Sequence, residues 1–207
     1  MNQITLTVSG LSKEFNRRMI FRNVSFTIST GEALALTGKN GSGKSTLIKI
    51  LSGVLTPFKG NVVFTVNGAR IGPDDIKSAI GLVSPYLQLY DEFTGLENLL
   101  VLSSIRSNGS IRAGRAEALL DRFGLAARQH DLVRGYSSGM KQRLKYAFAL
   151  LHAPGVLLLD EPTSNLDAEG IDVVRQVVRE QQKTGVLILA TNDEDEAAWC
   201  SRRFQVA

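Results

Sequence analysis

The sequence predicts an α/β fold: a mostly parallel sheet, flanked by an antiparallel β lobe and interrupted by an inserted α-helical lobe. Three observations predict it. A glycine-rich stretch, Gly38 to Thr46 (GKNGSGKST), follows the apolar run Ala33 to Leu36 and precedes Leu47, Ile48, Ile50 and Leu51, which recur at helical spacing. Two unbroken apolar runs, Val156 to Leu159 and Val186 to Ala190, end in polar residues, as strands buried on both faces of a parallel sheet do. Between them and the glycine stretch lies a long segment whose apolar residues keep helical spacing.

Taken in order, Ile4, Leu6 and Val8 alternate with polar residues, as do Val24, Phe26 and Ile28. Both read as half-buried strands. Asn67-Gly68, set between Val62, Phe64, Val66 and Ile71, is a hairpin signal, so these strands form an antiparallel sheet. Phe15, between the first two, is placed either to stack on a base or to serve as an ordinary core or loop phenylalanine. Gly81 to Val83 reads as a short buried strand running into a loop, Ser84 to Phe93, with Pro85, Tyr86, Gln88 and Tyr90. From Thr94 the pattern is helical through Leu102, breaks at Ser107 to Ser110 around Asn108-Gly109, and resumes from Ala116 to Phe123. Ser137 is a candidate N-cap for a helix carrying Met140, Leu144, Ala147, Phe148 and Leu151. The 207 residues form one domain: 1–84 and 152–207 supply the core and β lobe, and 85–151 the helical lobe.

Chemistry concentrates at the strand ends. Gly38, Gly41 and Gly43 let backbone N–H groups turn inward around an anion, with Asn40 and Ser42 between them, at a helix N-terminus. Lys44 then reaches the β- and γ-phosphates, and the Ser45 hydroxyl, followed by Thr46, takes a place on Mg²⁺. This is a Walker A loop, and the core is a RecA-like P-loop NTPase. Asp160 ends a buried strand, where a carboxylate holds Mg²⁺ through water; Glu161, one residue on, is placed to polarise the water that attacks the γ-phosphorus.

Composition bounds the rest. No apolar run approaches the ~18 residues needed to cross a bilayer, and the N-terminus lacks a signal-peptide core, so the chain is expected in the cytoplasm. Its single cysteine, Cys200, excludes an internal disulfide and reads as a small buried filler beside Trp199. The net charge of +4 is modest; its basic clusters read as solvated faces or as a rim suited to a site near anionic lipid, and no nucleic-acid partner is expected.

With these residues placed, the chain resembles the nucleotide-binding subunit of an ATP-binding cassette (ABC) transporter. The resemblance runs over nearly the whole length: the P-loop; Tyr136-Ser137-Ser138-Gly139-Met140, similar to the LSGGQ-type signature; the Val156 to Asp160 strand with Glu161; and Ser164 to Asp167, similar to the D-loop. Phe15 falls at the adenine-stacking position. The resemblance implies ATP and Mg²⁺ as ligands, and a head-to-tail dimer, of two identical or two related chains, in which Ser137, Ser138 and Gly139 of one subunit close over the γ-phosphate held by the other. It also implies a separate transmembrane permease, seated near Pro85 to Phe93, that holds the chain on the cytoplasmic face of the membrane. The signature form and the short chain resemble exporters with small permeases, including haem and polysaccharide exporters. A soluble or regulatory ATPase of the same superfamily, with weak turnover, is the alternative.

Four positions depart from the family pattern. Pro85 stands where most members carry glutamine, with Gln88 three residues later as the replacement expected to sense Mg²⁺ and the attacking water. Ser138 replaces a glycine and Met140 a glutamine. Asn192 stands in place of the switch histidine; its amide donates to a phosphate oxygen but carries no positive charge, so hydrolysis is expected to be slow.

Overall fold

The computed structural model describes residues 2–107 and 113–206. The chain opens with two long strands, β1 (Ile4–Phe15) and β2 (Arg18–Ser29), then β3 (Ala33–Thr37) and helix α1 (Lys44–Leu51). A hairpin follows, β4 (Lys59–Val66) and β5 (Ala69–Arg70), then α2 (Pro73–Ala79) and β6 (Ile80–Val83). The helical stretch contains α3 (Gly95–Ser107), α4 (Ala113–Arg122) and α5 (Ser138–Leu150). The chain ends with β7 (Val156–Asp160), α6 (Ala168–Thr184), β8 (Val186–Ala190), the single turn α7 (Glu194–Ala197) and β9 (Arg202–Gln205). Beyond Ser107, the expected break with its Asn108-Gly109 pair lies outside the described residues.

Two sheets organise these elements. One is antiparallel in the order β2-β1-β4-β5; the other is parallel in the order β6-β7-β8-β3-β9. Asn67 (φ 51°) and Gly68 (φ 82°) both take the left-handed turn conformation that an Asn-Gly hairpin requires. The same device closes the first hairpin at Asn16 and Arg17, so Phe15 is the last residue of β1, paired with Arg18, rather than part of a connecting loop.

The period-two alternation of the central strands divides the core. Leu34, Leu36, Val156, Leu158, Val186 and Ile188 pack toward α1 and the antiparallel sheet. Their neighbours Ala33, Ala35, Leu157, Leu159, Leu187 and Leu189 pack toward α5, α6 and the helices α3 and α4. Because both faces are covered, every residue of β7 and β8 is buried. Truncating Leu158 or Ile188 to alanine would therefore cost about 2–5 kcal/mol. Thr94 and Glu97 start α3 as a capping box: each side chain accepts the other residue's backbone N–H, at 3.1 and 2.8 Å.

Candidate nucleotide site

At the C-terminal edge of the parallel sheet, the loop after β3 curls around an open space before entering α1. A Cβ on Gly38 (φ 143°) would lie 2.5 Å from the Val206 carbonyl oxygen, and one on Gly43 (φ 100°) 2.6 Å from Ile20 Cγ2. Glycine is required at both positions, by crowding as well as by φ. Gly43 is the N-cap of α1, so Lys44 is its first helical residue. The buried Lys44 Nζ donates to the Gly38 carbonyl at 2.7 Å and the Lys39 carbonyl at 3.1 Å, which folds the ammonium into the loop. Burial lowers its pKa, while the Asp160 and Glu161 carboxylates pull it the other way. An incoming phosphate would restore the stabilisation that water supplied.

The acid side of the site comes from β7. Asp160, 1% exposed, accepts the Ser45 hydroxyl at 3.0 Å and the Ser84 hydroxyl at 3.4 Å. Burial raises its pKa, and the Ser45 hydrogen bond opposes the rise. Glu161 takes φ 52°, unusual for a side chain without a local hydrogen-bonding reason, and its N–H donates to the Ala190 carbonyl at 3.0 Å. That bond ties the turn after β7 to the end of β8.

Phe15, Asn40, Gly41, Gly43, Lys44, Ser45, Thr46, Asp160, Glu161 and Asn192 line one pocket of about 400 Å³. Gly38 lies in an adjoining recess that shares Asn40 and Asn192. Ser42 lines neither recess, and its buried Oγ has no hydrogen-bond partner among the described residues. Asn192 donates its amide to the Asn40 side-chain oxygen, which joins the end of β8 to the glycine loop.

Ser137, Ser138 and Gly139 lie apart from this pocket. Ser137 caps α5 by accepting the Met140 N–H at 3.2 Å, and the three residues line a recess with Asn165 and Asp167. A Cβ on Gly139 would meet the Asn165 carbonyl oxygen at 2.8 Å, and Arg143 pairs with Asp167 at 2.5 Å. The signature-like helix thus packs against the D-loop-like turn of its own chain. The Gly170 N–H first, and Arg143 second, hold the Asp167 carboxyl below its usual range.

Gln88 departs from expectation. It lines a separate recess with Leu87, Leu89, Asp91, Lys141 and Lys145, and takes no part in the pocket around Asp160. The reason is a turn directly after β6, where the Leu87 N–H donates to the Ser84 carbonyl at 3.1 Å and Lys145 donates to the Ser84 and Pro85 carbonyls at 3.1 and 3.3 Å. In its place the structure brings Ser84 and Tyr86 to the site, neither of which was expected there. Ser84 shares the sheet edge that carries Asp160 because β6 lies beside β7, an adjacency that the sequence alone does not state. Ser84 is buried against Asp160, while Tyr86 lines the pocket itself, with the Lys49 ammonium 3.5 Å from its ring centre.

A glycine loop between strand and helix, beside an acid ending a parallel strand, defines a P-loop nucleotide-binding protein. Within that class, the profile of the ABC transporter family matches residues 21–164, and the chain belongs to that family. It is 36% identical over 182 residues to the ABC transporter ATP-binding protein YdbJ of Bacillus subtilis (strain 168), covering 87% of this chain and 58% of that protein. It is 32% identical over 191 residues to the linearmycin resistance ATP-binding protein LnrL of the same organism, covering 90% of this chain and 60% of that one. The chain thus spans a little under two thirds of the length of these two relatives. A solved ATP-binding subunit of an ABC transporter superposes with a TM-score of 0.84 at 30% identity, covering 97% of this chain and 85% of that one.

Proposed function

We propose that the chain binds and hydrolyses ATP to power an ABC transporter whose membrane-spanning permease is a separate polypeptide. The observation that carries this reading is the convergence of Lys44, Ser45, Asp160 and Glu161 on one pocket at the sheet edge. Among the described residues no helix is long and apolar enough to cross a membrane.

Phosphate binding falls to the loop amides and Lys44, with the adenine stacked on Phe15, which is partly exposed at the pocket mouth. The hydroxyl of Ser45 and the carboxylate of Asp160 are hard oxygen donors of the kind that hold Mg²⁺ alongside substrate phosphates. Bound there, the cation would neutralise charge on the β- and γ-phosphates. Glu161, which lines the same pocket as Lys44 and Asp160, orients and deprotonates the attacking water. Asn192 donates to the γ-phosphate once its bond to Asn40 is released.

Separation of Ser137, Ser138 and Gly139 from the P-loop of their own chain supports a head-to-tail dimer in which each signature helix serves the other subunit's ATP. The recess at Leu87 to Asp91, between α5 and the loop after β6, is the proposed seat of the permease. Similarity to a linearmycin resistance protein supports outward transport. Co-purification with a permease encoded beside it, and MgATP hydrolysis by that complex, test the reading together. A chain that leaves the membrane fraction alone, or binds no MgATP at millimolar concentration, refutes it.

A further inference from the structure

The loop after β6 turns Gln88 away from the nucleotide pocket, yet it leaves a polar side chain at the position where an oxygen donor is needed. We infer that the Ser84 hydroxyl is a member of the Mg²⁺ site, in the role expected of Gln88; this rests on the proposed reading of Ser45 and Asp160 as cation-holding residues.

Three facts place it. Val83 pairs with Leu159 across the parallel β6–β7 ladder, so Ser84 stands level with Asp160 where both strands end. Ser84 is 4% exposed, and its Oγ lies 3.4 Å from one Asp160 oxygen while Ser45 Oγ lies 3.0 Å from the other. Two hydroxyls therefore flank a single carboxylate, one from the glycine loop side and one from the opposite strand.

The hydrogen-bond inventory leaves Ser84 capacity for a further partner. Its proton goes to Asp160, and one lone pair accepts the Tyr86 N–H at 3.3 Å. A hydroxyl oxygen has a second lone pair, and among the described residues no donor takes it. That lone pair is free for the cation or for a water bound to it, which suits a metal that keeps several waters and takes few protein ligands. The backbone is fixed independently, because the Ser84 carbonyl accepts Lys145 at 3.1 Å and the Leu87 N–H at 3.1 Å. Those bonds hold the turn that leads Gln88 into its separate recess, whereas Ser84 Oγ already lies against Asp160.

Mn²⁺, read by electron paramagnetic resonance, is the probe, titrated into the purified chain with a non-hydrolysable ATP analogue. Ser84→Ala should weaken Mn²⁺ binding by about 10-fold or more, the range seen when a supporting group at a metal site is lost. Affinity for the analogue in EDTA should stay unchanged, which also reports that the variant is folded. Ser84→Thr, which keeps the hydroxyl, should restore the metal affinity, and Gln88→Ala should leave it at the wild-type value. Wild-type Mn²⁺ affinity in Ser84→Ala, or a loss in Gln88→Ala as large as that in Ser84→Ala, overturns the assignment. Failure of the underlying reading looks different: Ser45→Ala and Asp160→Asn would then also bind Mn²⁺ like the wild type.

Discussion

Glu196, in the single helical turn α7, accepts the hydroxyl protons of both Thr163 and Thr191 and, at 3.3 Å, the Thr163 N–H. Thr163 lies two residues beyond Glu161, and Thr191 immediately precedes Asn192. One buried carboxylate, 6% exposed, therefore braces the loop that carries the proposed base to the loop that carries the switch position. The brace continues to the signature helix, since Tyr146 donates to the Pro162 carbonyl at 2.8 Å. Removing the carboxylate leaves these donors without their acceptor, at about 1–3 kcal/mol for each buried group. Glu196→Ala should lower Tm by roughly 5–10 °C, by the scaling for a domain of this size, and Glu196→Gln by less, because one carbonyl oxygen remains. An unchanged Tm in the alanine variant would show that the brace contributes nothing.

Asn192 has a bond to break before it can reach phosphate. Its amide is engaged by Asn40, and even when released it offers only a neutral donor. In the assembled complex, Asn192→His should raise ATP turnover by about 10-fold, equivalent to roughly 1.4 kcal/mol of barrier, with little change in KM. A rate equal to or below that of the wild type would refute the idea that asparagine slows the machine.

Much of this architecture was legible because local and global signals agreed. The glycine loop, the two apolar strands, the Asn-Gly hairpin and the Ser137 cap each carry their own geometry in a few residues, and each lies where the sequence placed it. What escaped depends on long-range placement. The strand β9 is short and rich in arginine, and it exists because β3 offers it an edge. Helix α6 was legible in its Val174, Val177, Val178 and Gln181 stripe, but no motif drew attention to it. Gln88 was misplaced for a physical reason of the same kind: counting residues along a loop says nothing of a turn held by Lys145, a residue 57 positions further on.

Cys200 supplies a test of burial. Desolvation pushes its thiol up to about 12, with Arg203 opposing, and the side chain lies in the core formed with α6. Because the folded pKa is raised, this group's contribution to stability is fully present below its unfolded pKa and is lost as pH rises toward 12. At pH 8 the folded chain should resist iodoacetamide and react only on unfolding, while a free cysteine of ordinary pKa reacts readily. Stoichiometric labelling of the native chain at pH 8 would contradict this placement.

The backbone at Glu161 links stability to function. A non-glycine residue at φ 52° costs of order 1 kcal/mol or more, and here the turn is held by the bond from Glu161 N–H to Ala190. Strain kept at a site is expected where the side chain, rather than the fold, requires that residue. Two substitutions separate the contributions. Glu161→Gln keeps the strained backbone and the shape of the side chain but cannot take a proton, so turnover should fall at least 100-fold while ATP stays bound and Tm holds steady. Glu161→Gly should lose turnover equally, yet gain up to about 1 kcal/mol, visible as a Tm higher by a few degrees. Undiminished phosphate release from the glutamine variant would remove Glu161 from the chemistry, and a lower Tm in the glycine variant would mean that the turn carries no strain to relieve.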